Sequence, residues 1–166
     1  MAALSQLETA LSDVFVKKAP KLPEGAKRFI VTYLPYINLV FGVLALWAAW
    51  AIYNWANYAS EVTDYLNSYS RALGGTDVVS RDLTVGLWLA IIVLVIEAVL
   101  YIAAFAGTRD RKKSGWDLLF YALLVNAVYG VVVVFTSYGG FGNLLGALIG
   151  TVIGLYFLFQ IRSSYS

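Results

Sequence analysis

A single glutamate, Glu97, interrupts the apolar run 83–106. A charged side chain at the centre of a membrane helix costs about 2.5–3.5 kcal/mol on insertion scales, so such a residue is kept for a function or held by a partner. Tyr101 stands four residues on and shares its helical face. Asn126 falls at similar depth in the next apolar run, Thr151 in the one after, and Asn38 nearer the N-terminal side. Two chemistries fit this set. One is an ion- or proton-coupling carboxylate in a small channel or transporter. The other is a carboxyl hydrogen-bonded to Asn126 or Tyr101 that fixes helix register.

Two further patterns carry physical meaning. Gly142, Gly146, Gly150 and Gly154 recur at every fourth position, which makes a side-chain-free groove along one helix face. Another helix can approach closely along such a groove. The groove is expected either to pack on the chain's own second or third span or to serve a homo-oligomer or membrane-protein partner. Arg109, Arg111, Lys112 and Lys113 form a basic run between two apolar blocks. It is a candidate for anionic lipid headgroups and, more simply, a determinant of topology.

Composition removes most other chemistry. The 166 residues include no cysteine and no histidine. Disulfides, thiolate nucleophiles, Cys- or His-ligated metals and a histidine base are therefore excluded. No cofactor or metal site is expected, and no catalytic constellation is seen. A net charge of +2 gives no support to nucleic-acid binding.

The elements that must position these residues are apolar helices. The chain is 60% hydrophobic and only 13% charged, where soluble domains run about 45–50% and about 25%. Its apolar content is clustered in four blocks, with expected spans at about 30–55, 83–106, 116–136 and 143–161. Trp47, Trp50, Tyr53 and Trp55 crowd the far end of the first span as an interfacial belt would. Pro35 lies near its start, where it is expected to kink the helix. Beyond Trp55, the spacing of Tyr58, Val62, Tyr65, Leu66, Tyr69 and Leu73 extends it as an amphipathic helix, ended by Gly74-Gly75. Ser80 or Asp77 is a candidate cap for the second span, with Asp82 in its first turn. The uncharged turn 137–142 precedes the fourth.

Ahead of the spans, Leu4, Leu7, Leu11, Val14 and Phe15 recur at three- and four-residue steps, with Ser5 and Glu8 in capping-box spacing and Pro20 and Pro23 as breakers. This amphipathic helix is expected either to lie on the lipid surface or to cap the protein's own cytoplasmic side. No cleavable leader is read there, so the first apolar block is expected to act as an uncleaved anchor.

Ten of the twelve Lys and Arg residues fall in the N-terminal segment, the 107–115 loop and the C-terminal tail; only Arg71 and Arg81 fall on the opposite side. The positive-inside rule then places both termini in the cytoplasm. The expected fold is an all-α polytopic membrane protein: a cytoplasmic amphipathic segment, 1–28, followed by a four-transmembrane-helix bundle, 29–166. A prokaryotic inner membrane is its expected location and the lipid bilayer its first partner. Three functions are carried forward. They are a non-catalytic assembly, accessory or scaffold protein; a channel or proton-coupled transporter using Glu97; and a lipid-acting membrane enzyme.

Overall fold

The computed structural model describes residues 2–77, 83–134 and 141–166, with the side chains of all but 2–3, 83–85 and 141–143. Among these residues the chain is helical, with no strand. Helix α1 spans Ala2–Ser12 and runs on into a π-helical stretch, Asp13–Lys18; α2 spans Glu24–Ala72, α3 Leu83–Arg109, α4 Lys113–Val134 and α5 Phe141–Gln160. Helices α2, α3 and α4 are long and apolar enough to cross a membrane, and the apolar part of α5, Leu144–Gln160, is shorter.

Helix α2 runs past Trp55 as its spacing suggests. It is one helix of 49 residues, begun six residues before Ile30 and continued well past Trp55. It runs on through Pro35, which is buried in the helix interior. The glycine pair stops it, as the sequence suggests. Gly74 adopts φ +81°, its N–H donates to the Arg71 carbonyl at 3.0 Å, and the Gly75 N–H donates to the Ser70 carbonyl at 2.9 Å. That is a Schellman arrangement, which satisfies two carbonyls the helix end would otherwise leave free. The Asp77 carboxylate accepts two bonds from Arg71, at 2.6 and 2.7 Å. Ser80, Asp82 and the turn residues 137–140 lie outside the described residues.

Each helix packs on the next in chain order, α2 on α3, α3 on α4 and α4 on α5. The α2–α3 pair is antiparallel, with Tyr36 beside Phe105 at one end and Tyr53 beside Trp88 at the other. Val31, Pro35, Asn38, Gly42 and Ala49 form the buried seam of α2. Gly42 lets the helices close: a Cβ there would stand 2.7 Å from Cγ1 of Ile102. Outward faces are apolar, and Val40, Phe41, Val43, Trp47 and Trp50 on α2 are all exposed. A solvent of hydrocarbon explains that surface, because lipid removes the penalty that water imposes on it.

The tightest packing lies at the end where the N-terminal segment, the α3–α4 turn and the C-terminus meet, here called the basic end. Trp116 is fully buried there, its Nε1–H donating to the Leu158 carbonyl at 2.8 Å. Phe120 stacks on its ring, Phe159 meets it edge-on and the Arg162 guanidinium covers it at 4.9 Å. The α3–α4 turn is built on glycine contact: a Cβ on Gly115 would overlap the backbone of Gly107 and Thr108.

Helix α1 and the stretch after it belong to this end. Phe15 stacks on Phe159 at 6.1 Å, and Leu11, Phe15 and Val16 lie against the core. The apolar stripe thus packs in part on the protein itself. The expected capping box is absent. Ser5 sits inside α1 and its carbonyl accepts a bond from the Thr9 hydroxyl, while Glu8 reaches Arg162 and Lys113.

Candidate functional site

Glu97 comes from the middle of α3 and is buried. Its Oε1 accepts a hydrogen bond from Nδ2 of Asn126 on α4, at 3.1 Å. The carboxyl and the amide were placed at matching depth by their positions in two successive apolar helices, and the bond is the physical result. Thr151 on α5 is buried, but among the described residues its Oγ1 has no hydrogen-bond partner. Asn38 on α2 is buried too, and its Nδ2 likewise has none among them. Of the five polar residues singled out, one pair is joined by a hydrogen bond.

The basic run is partly neutralised by neighbouring acids. Arg109 and Lys112 each lie 3.7 Å from Asp110, and Lys113 lies 3.2 Å from Asp117 and 3.7 Å from Glu8. Arg111 adopts φ +56°, unusual for a side chain of its size, and closes the turn. The C-terminus docks on this turn: the Ser166 N–H donates to the Arg111 carbonyl at 3.1 Å, and the Lys113 N–H donates to the Ser166 carbonyl at 2.8 Å. Beside it Tyr165 is buried with an unpaired hydroxyl. Burial pushes its phenol up to about 12, although Arg111 pulls the other way.

The glycine repeat does not form one internal seam. Gly154 faces Leu123 of α4, where a Cβ would come within 2.7 Å of Cδ2. Gly146 and Gly150 have nothing within 4 Å of a built Cβ. Gly142 lies outside the described side chains. Gly130 of α4 also allows a close approach to α5, since a Cβ there would come within 2.5 Å of the Ala147 Cβ. Of the glycines of the repeat with described side-chain surroundings, only Gly154 lies against α4.

Sequence reasoning missed Gln160. This residue ends α5, and its amide ties the N-terminal segment down. Nε2 donates to the Phe15 carbonyl at 2.6 Å, and Oε1 accepts from the Leu22 N–H at 3.2 Å. The Tyr156 hydroxyl adds a bond to the Pro20 carbonyl at 2.8 Å. Residues 15–22 thereby form a strap from α5 to the start of α2. A polar residue closing an apolar helix was the available signal, but its partners are remote in sequence. The chain matches no family model, no curated protein and no solved structure.

Proposed function

We propose that this is a non-catalytic integral membrane protein whose role is assembly, as a scaffold or accessory subunit. In this reading it crosses the bilayer four times, with α5 as the fourth crossing. The basic end, carrying both termini and the α3–α4 turn, faces the cytoplasm, and a prokaryotic inner membrane is its home. The concentration of Lys and Arg at one end of the bundle supports that orientation.

The observation that carries the assembly role is the open face at Gly146 and Gly150, where no described residue comes within 4 Å of a built Cβ. Small residues four apart let a second helix backbone approach to van der Waals contact, which drives helix association in lipid. The far part of α2 offers more exposed surface. Its antiparallel register with α3 brings the start of α3 beside Tyr58. The last turns of α2 therefore extend on the order of 20 Å further. Tyr58, Val62, Tyr65, Leu66, Tyr69 and Leu73 are exposed along them.

The transport reading rests on Glu97, but this carboxylate is engaged by Asn126, which supports a part in holding helix register. The decisive test of assembly is Gly146→Leu with Gly150→Leu. Open space at both positions means the double variant should fold with unchanged thermal stability. It should also lose its partner or its oligomeric state, read by size-exclusion chromatography in mild detergent and by affinity capture. A variant that folds and keeps every association of the wild type would exclude this face.

A further inference from the structure

We propose that the part of α2 beyond Trp55 is a dimerisation arm, which pairs in parallel and in register with the same arm of a second copy of this chain. Trp55, Tyr58, Val62, Tyr65 and Tyr69 follow one another at alternating steps of three and four residues. The alternation averages 3.5 residues, the repeat of a two-stranded coiled coil, in which every such residue faces the partner helix. Leu66 and Leu73 flank this seam on one side. All seven residues are between 42% and 73% exposed, beside a helix that is continuous to Ala72.

The face is distinct from the one α2 turns to its own bundle. Gly42 and Ala49 lie on the buried line against α3, and steps of seven carry that line to Ala56, Thr63 and Ser70, which are half-buried. Trp55, Val62 and Tyr69 each precede one of these by a single residue, so the aromatic seam is rotated from the α3 side by about 100°. Lipid does not account for it either. A hydrocarbon core takes about 20 residues of helix, so a span begun near Ile30 has left the core before Trp55. Asn57, Ser60, Glu61 and Asp64 alternate with the seam, and their polarity suits water.

Two arguments make the occupant a second copy. The first is area: aromatic side chains carry about 150–250 Å² each, so a stripe exposed to this degree offers roughly 600–900 Å² per chain, near the ~800 Å² each partner gives a stable complex. Apolar patches of that size in water mark association surfaces. The second is symmetry. Copies in one bilayer hold their arms side by side and pointing the same way, so each seam residue meets its own counterpart, aromatic on aromatic. The charges permit this. Glu61, Asp64 and Arg71 all fall off the seam, and Arg71 is engaged by Asp77. The pairing needs only that α2 crosses the membrane and is independent of the glycine face of α5.

The test is a ladder of single cysteines in the full chain, which has none of its own, oxidised in membranes with copper phenanthroline. A disulfide forms where two Cα atoms come within about 7 Å. Tyr58→Cys, Val62→Cys, Tyr65→Cys and Tyr69→Cys should each give a covalent dimer, and Ser60→Cys and Asp64→Cys, on the far side of the helix, should not. Tyr65→Glu with Tyr69→Glu sets like charges against each other and should slow cross-linking of Tyr58→Cys about tenfold or more. The ladder should persist in Gly146→Leu with Gly150→Leu, which separates the arm from the α5 face. No dimer at any position, equal yield at all six, cross-links only to other proteins, or loss of the ladder in the glycine variant would each overturn the proposal. Should the double glutamate variant lose its helix, the cysteine ladder in the otherwise unaltered chain still decides the matter.

Discussion

Glu97 shows how a single residue can be conspicuous in sequence and quiet in structure. Its carboxyl has a partner in Asn126 at 3.1 Å, and such interhelical bonds measure about 0.6 kcal/mol on average in membrane proteins. A double-mutant cycle of Glu97→Leu and Asn126→Leu should therefore give a coupling energy of about 0.6 kcal/mol in reversible unfolding. In liposomes Glu97→Gln should leave ion and proton flux as in the wild type. A flux present in the wild type and abolished by the glutamine would restore the carboxylate to a transport path. Glu97 and Asn126 were legible in the sequence because a polar residue stands out against an apolar helix. Their bond was legible as one of two options, since Tyr101 shares the helical face just as well. The isolation of Asn38 was not legible, because lacking a partner is a property of the three-dimensional surroundings. Gln160 stayed hidden for the same reason.

At the scale of elements, hydrophobic periodicity located the five α-helices among the described residues. Helix α2 extends to Ala72 because the amphipathic spacing past Trp55 and the Gly74 stop both act on one continuous rod. The glycines of α5 misled because spacing reveals a smooth face but not what lies opposite. Gly115 shows the converse: nothing around it in sequence signals that its α-carbon must fit against Gly107. Gly115→Ala should lower stability by about 1–3 kcal/mol, towards the upper value because the obstruction is backbone rather than a side chain that can swing away. Gly25→Ala, on a helix with open space around it, should be neutral or stabilising by a few tenths to about 1 kcal/mol. Urea or SDS unfolding of the two variants beside the wild type checks both. Similar losses in the two would show that the α3–α4 turn is looser than its geometry.

For the whole molecule, the charge asymmetry gathers at one end of the bundle, where Glu8 meets Arg162 and Lys113 and the C-terminal carbonyl meets α4. The chain has no native cysteine, so single substitutions report location without background. Ser166→Cys should react with a membrane-impermeant maleimide only after cells are opened, and Asn67→Cys should react in intact cells. The opposite pattern would invert the bundle, and labelling of both from outside would break the count of four crossings. The length of α2 carries one more implication. A rigid rod of 49 residues is on the order of 70 Å long, and roughly half of it is clamped against α3. Its free tip is then the long arm of a lever. A tilt of a few degrees at the clamp moves Tyr65 and Tyr69 by about 1 Å, so the rod hands small rotations of the bundle on to its far end without loss.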